Sequence, residues 1–377
     1  ITFDPEEIIY DEMDENPTIP RTTFKITSEA GLKTVEMYLV SASGQEVKGT
    51  INLSGEKEYT FDEMINYKEG DRGFKVKAED TYGYITISTL PVTYKTIPGP
   101  SLTLTESTIF AGTDVKKGVS MQIESVRGVH EVVIYRIENG SEVEALRETR
   151  SGEHTLNYAP EIDFTEATSK LKVVVSDGRE GKEATGYVKA YVNMDVATLN
   201  VGSQPLANNA HEKYPDAFGM VSLNDLKTYS VDYAIANEAN AKNIDFKFYC
   251  FGAAGSPRLY SMDNTGKDSE FSGSTGKLSA IKVKNLTRFA ILSNFDYENA
   301  TVTSISSEIL SSSITQSLLD PIAVGNIIAF RTGGSSAAGG GRIGVMKVIN
   351  ITEPKDLVSS NATARVMTVE IKFPQKK

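Results

Sequence analysis

A chain of 377 residues, 40% hydrophobic and 24% charged, has the composition of an ordinary folded protein and the length of two or three domains. Its 39 basic against 50 acidic residues give a net charge of -11, which repels a phosphate backbone and excludes nucleic acid as an expected partner. No stretch approaches the ~20 uninterrupted apolar residues of a membrane helix, and a single cysteine excludes an intrachain disulfide or a cysteine-rich zinc site.

Residues 1–20 are acidic and proline-punctuated, with Asp4, Glu6, Glu7, Asp11, Glu12, Asp14 and Glu15 among Pro5, Pro17 and Pro20. Such a segment repels itself and buries little, so it is expected to be a spacer that at most ends in an edge strand.

A tandem repeat follows. Thr23–Val40 aligns without gaps on Ser120–Ile137, placing Ile26 on Ile123, Gly31 on Gly128, Val35 on Val132 and Tyr38 on Tyr135, an offset of 97 residues. The same offset carries Phe74–Asp80 onto Leu171–Asp177 and Tyr94 onto Tyr191. Phe24, Ile26 and Ser28 alternate, as do Val35, Met37 and Leu39, and Phe74, Val76 and Ala78, the period of half-buried strands. Ser43-Gly44, Asn139-Gly140, Ser151-Gly152 and Asp177-Gly178 supply turns. The spacing and alternation predict an all-β protein: immunoglobulin-like β-sandwiches over 21–97 and 101–195, joined through Thr96–Pro100. Ile26, Val35 and Val76 and their counterparts Ile123, Val132 and Val173 are expected in the cores.

The remaining 196–377 does not repeat that pattern and reads as a larger β-sandwich or jelly-roll-like domain. Tyr229–Ile235, Ile244–Phe251, Leu278–Leu292 (two strands), Val324–Arg331, Ile343–Ile349 and Arg365–Phe373 are its predicted strands, and the Ser-rich Val302–Leu319 admits one or two short helices.

Catalytic and metal chemistry find no support. His130, His154 and His211 are scattered, no Gly-x-Ser-x-Gly elbow occurs, and Cys250 lies in an apolar run as a core thiol. Gly333–Arg342 lacks the Lys-Ser/Thr and the following helix of a phosphate loop and reads as a flexible hairpin connection. Glu79, Asp80 and Asp177 are too few for calcium and suit turns. No cofactor is expected. A glycan platform usually presents flat aromatic faces, and with Trp 0 the candidates are Tyr214, Phe218, Tyr260, Phe271, Phe295 and Tyr297. Tyr260 and Phe271 stand in the Gly/Ser-rich stretch Gly252–Lys277 and are the expected ligand-binding residues, with Thr332–Arg342 as a second adaptable loop.

Gly31–Val35, echoed by Gly128–Val132, together with Lys75–Gly83, resembles the bacterial immunoglobulin-like domains of adhesins and surface lipoproteins; the second repeat departs from the later stretch with Val175 and Glu180. Asn243–Tyr249, Asn285–Phe289, Val324–Thr332 and Gly344–Ile349 make the last domain similar to the C-terminal domain of surface lipoproteins of Gram-negative gut anaerobes. The resemblance implies a lipidated cysteine ahead of Ile1, display on the outer membrane or secretion, and a non-catalytic role in adhesion to an extracellular protein. Its alternative is a glycan-binding accessory of polysaccharide uptake. Membrane contact would run through the lipid anchor alone.

Overall fold

The computed structural model describes all residues except 14–17, 251–254, 353–363 and 377. The chain forms two compact units, Ile1–Gly99 with Ser125–Arg127, and the remainder from Pro100.

In the first unit, β1 (Thr2–Phe3), β2 (Ile8–Asp11), β3 (Arg21–Ser41), β4 (Gly44–Met64), β5 (Asp71–Asp80) and β6 (Ile85–Lys95) make one sandwich. Its centre is the long β3–β4 hairpin, which bends midway and folds onto itself. The early half of β3 pairs with β1 and the late half of β4; the late half of β3 pairs with the early half of β4 and with β5. Gly31, at φ 85°, makes the bend against Gly55, at φ 101°; a Cβ on Gly31 would stand 2.5 Å from the Gly55 carbonyl oxygen. Only glycine fits there. Phe24, Ile26, Val35, Leu39, Phe74 and Leu90 fill the space between the layers.

The acidic leader is thereby corrected. β1 pairs antiparallel with β3, and β2 runs parallel to Val92–Lys95 of β6, so residues on both sides of Pro5 are part of the sheets. Apolar Phe3 and Ile8 pack on the core while the carboxylates stay at the surface, an alternation that acidity masks. Asp14, Glu15 and Pro17 lie outside the described residues.

The second sandwich repeats the plan. It consists of β7 (Ser101–Leu104), β8 (Thr108–Ala111), β9 (Lys117–Gly118), β10 (Met121–Glu138), β11 (Ser141–Tyr158), β12 (Glu161–Ile162), β13 (Thr168–Ser176) and β14 (Ala184–Val192). Even the irregularities recur. Leu32 pairs with Glu56 and Thr34 with Asn52; 97 residues on, Val129 pairs with Glu153 and Glu131 with Thr149. All six residues expected in the cores are buried. The last strand departs from the offset. Phe74 pairs with Leu90 but Leu171 with Val188, so the turn before β14 is one residue longer and Tyr94 corresponds to Val192 rather than Tyr191. One residue reverses the face of a strand, and Tyr94 packs on its own core while Tyr191 joins a cluster shared with the last domain.

That domain starts directly after Asn193, with β15 (Met194–Gly202). β16 (Met220–Ser222), β17 (Lys227–Tyr229), α1 (Val231–Ala236), α2 (Glu238–Lys242), β18 (Phe246–Tyr249), β19 (Arg258–Ser261), β20 (Arg288–Leu292), α3 (Val302–Glu308), β21 (Leu318–Leu319), β22 (Ile327–Arg331), β23 (Ile343–Ile351) and β24 (Val366–Pro374) follow. Two five-stranded sheets, β15-β24-β23-β22-β20 and β17-β16-β18-β19-β21, enclose a core of Phe246, Phe248, Cys250, Phe289, Phe330 and Phe373. Their outer faces are covered as well, one by α1, α2 and short turns, the other by α3. Two strand expectations fail. Tyr229–Ile235 is mostly α1, because Ser230 caps it by accepting the Tyr233 amide. Leu278–Leu292 contains one strand, β20, preceded by a single 3-10 turn at Leu278–Ala280.

Candidate functional site

The predicted platform residues do not form one. Tyr260, on β19, is 4% exposed and Phe271 is 0% exposed. Tyr260 stands opposite Lys247 on the covered face of its sheet. The Lys247 ammonium lies 5.7 Å from the Tyr260 ring centroid and 5.9 Å from that of Phe271. It donates to the Asn264 carbonyl at 2.9 Å and to Asp268 Oδ1 at 2.5 Å, while Lys284 reaches Asp268 Oδ2 at 3.1 Å. The aromatic cage is therefore closed on the protein's own cation. Burial pulls the Lys247 pKa below its ordinary value, against the opposing pull of Asp268. Tyr297 is also buried, and Tyr214, Phe218 and Phe295 are partly buried.

The two loops expected to adapt to a ligand are tied down. Asp232 accepts the Ser274 and Thr275 amides, each at 3.0 Å, and these bonds hold its carboxyl well below the usual range. Residues 252–254 of that stretch lie outside the described residues. The Gly-rich connection after β22 donates from the Ala337 amide to the Lys242 carbonyl and from Ser335 Oγ to Asn285 Oδ1, at 2.9 and 2.7 Å. Arg342 lies over the Phe373 ring at 3.9 Å and donates to the carbonyls of Ala338 and Pro374. This connection walls a cleft of about 640 Å³ with Val302, Ile305 and Asn193. Asn193 serves the fold there: its side-chain Nδ2 donates to Glu166 Oε1 at 3.0 Å and to Thr113 Oγ1 at 3.2 Å.

Exposed aromatic surface stands elsewhere, at the tip of the β5–β6 hairpin. Asp80 Oδ1 accepts the amides of Tyr82 and Tyr84, both at 2.9 Å, and the Gly83 amide donates to the Asp80 carbonyl at 3.0 Å. Thr81 ties the tip to the β3 bend, through its amide to the Gly31 carbonyl at 3.0 Å and its hydroxyl to the Ala30 carbonyl at 2.7 Å. Gly83 takes φ 84°, which lets the turn close. On this fixed backbone Tyr82 is 78% and Tyr84 74% exposed, with Ile85 and Ile87 exposed beside them. No charged residue occurs from Thr81 to Leu90. The corresponding turn of the second sandwich reads Gly178-Arg-Glu-Gly-Lys-Glu183, with Arg179 folded onto Asp177 at 2.6 Å.

Asp80 and Asp177 thus shape turns, and Glu79 pairs with Lys33 at 2.6 Å. Sequence reasoning missed Tyr82 and Tyr84. The available signal was the place where two otherwise parallel repeats part company, aromatic in one turn and charged in the other.

No protein-family model matches the chain, and no curated protein matches it. Solved structures that match it include Dpr2 Ig1-Ig2 in complex with DIP-Theta Ig1-Ig3, at 11% identity and TM-score 0.21 over 49% of this chain and 61% of that one. The titin domains z1z2 in complex with telethonin match at 12% identity and TM-score 0.22, over 49% and 91% of the two chains. In the first of these the chain spans less than two thirds of its match. Sheet order and register define the class: an all-β protein built from immunoglobulin-like sandwiches.

Proposed function

We propose that the chain is a non-catalytic recognition protein that holds an extracellular partner through the Tyr82–Tyr84 hairpin tip. The observation that carries the reading is the exposure of two tyrosines on a backbone fixed by Asp80 and Thr81. Tyrosine offers a large amphipathic surface with few rotors, so presenting it on a rigid turn lowers the ordering cost of binding. An isolated exposed ring is ordinary, but two rings with Ile85 and Ile87 and no charge among them make a patch of the kind that marks an interaction site. Adhesion or host-surface contact is the function this surface serves best. Display through a lipidated cysteine ahead of Ile1 belongs to the same proposal and rests on the similarity of Asn243–Tyr249, Asn285–Phe289, Val324–Thr332 and Gly344–Ile349 to the C-terminal domain of surface lipoproteins. Metabolic labelling of the expressed gene product with a palmitate analogue tests it.

The binding test is a screen of the full chain on arrays of extracellular-matrix proteins and glycans, repeated with Tyr82→Ser/Tyr84→Ser. A hit on matrix protein that the double variant loses supports the reading. Hits that the variant retains at full strength overturn it.

A further inference from the structure

Lys247, on the central strand β18, and Asp268, in the turn Asp268–Glu270, bring an amine and a carboxyl group into direct contact inside the last domain. Both side chains are buried, and the Tyr260 and Phe271 rings flank the nitrogen, so aromatic carbon stands where water would otherwise solvate the pair. Removing two opposite charges from water carries a desolvation cost that their attraction recovers only in part. An amide made from the same two groups carries no charge. The chain has a single cysteine, so a covalent cross-link within it must use other side chains.

We propose that Lys247 and Asp268 condense into an isopeptide bond, an intramolecular cross-link between β18 and the turn that packs over it. The fold holds both groups at contact, which turns a bimolecular encounter into a unimolecular step. Burial draws the Lys247 pKa down and favours the neutral amine, the nucleophilic form. Lys247 passes one proton to Asp268 Oδ1 across their hydrogen bond, leaving an amine beside a carboxylic acid. The amine lone pair attacks Cγ, and the electron pair displaced from the carbonyl gathers on Oδ2. Lys284 donates to that oxygen at 3.1 Å, so a cation already stands where the tetrahedral oxyanion forms. The carbonyl then re-forms, the Cγ–Oδ1 bond breaks, and Oδ1 departs as water with a second proton from the nitrogen. One C–N bond has formed, one C–O bond has broken and one water has left; no other reactant is consumed. The nitrogen keeps one hydrogen, and the Asn264 carbonyl, 2.9 Å away, is already in place to accept it. Hydrolysis would need water to return between the two rings. The cross-link stands independently of whatever the exposed tyrosines of the first sandwich bind.

Intact-mass spectrometry of the full chain under denaturing conditions tests the proposal. Wild type is expected to be lighter than its sequence by one water, and Lys247→Met and Asp268→Ala to run at full mass. A tryptic map of the wild type supplies a readout that depends on no variant: cleavage after Lys247 should be lost, and one branched peptide should carry both Lys247 and Asp268. A wild type at full mass overturns the proposal. So does a water loss that Lys247→Met leaves in place, because it would then come from cyclisation elsewhere, as at Asp177-Gly178.

Discussion

Lys247 explains why an aromatic pair that looks like a sugar platform in sequence is a structural cage in the fold. Alternation from Phe246 puts Lys247 and Tyr249 on one face, and the sequence does not reveal that α1, α2 and the Asp268–Glu270 turn cover that face. Phe271→Ala is accordingly expected to lower stability by about 3–5 kcal/mol, as for other buried aromatics, and to leave ligand binding unchanged once the protein is folded. Urea denaturation read beside a binding assay checks both halves. Asp245 gives a pH-dependent expectation. It is fully buried, its Oδ2 accepts the Leu223 amide at 2.8 Å, and burial pushes its pKa up to about 7 from 3.8. Between those values the folded state holds a proton that the unfolded state has released, so this group's contribution is complete below about pH 4 and is lost as pH rises through about 7. Asp245→Asn should flatten that part of the stability profile, measured as melting temperature from pH 4 to 8. An unchanged slope would contradict the assignment.

At the scale of elements, much was legible because the repeat reports its own architecture. Gly31 on Gly128 is the informative match. Each sits at the bend of the long hairpin with positive φ, opposite Gly55 or Gly152, and neither has space for a Cβ. Gly31→Ala and Gly128→Ala should each destabilise their own sandwich by more than the ~1 kcal/mol of an ordinary glycine-to-alanine mismatch, whereas Gly140→Ala, in an open turn, should stay near that figure; chemical denaturation compares the three. The slip at Tyr94 and Tyr191 was not legible, since a tyrosine falls at the offset in either register and only the ladder shows the longer turn. Tyr229–Ile235 alternates like a strand, yet a local cap at Ser230 outweighs a pattern only a few residues long.

At the scale of the whole molecule, the sequence marks the two sandwiches but not the union of the second with the last domain. Asn193 is the one residue between β14 and β15, and its carbonyl accepts the Gln375 amide at 2.7 Å. Tyr191 and Met194 share a buried cluster with Tyr297, Ile305 and Val345, and the Lys372 ammonium lies 4.3 Å from the Tyr297 ring and 5.3 Å from that of Tyr191. These contacts join residues far apart in sequence, which no local pattern announces. Pro100 onward should therefore unfold as one cooperative unit: calorimetry is expected to resolve two transitions, and three would contradict the shared core. The central claim, that recognition runs through the tip of the first sandwich, is tested most directly by comparing two exposed rings on the full chain. Tyr84 is 74% exposed at that tip and Tyr187 57% exposed on the second sandwich. Affinity for the matrix protein captured on the array should fall about tenfold or more with Tyr84→Ser, the scale of a central interface tyrosine, and stay at the wild-type value with Tyr187→Ser. Equal losses, or a loss confined to Tyr187→Ser, would contradict it.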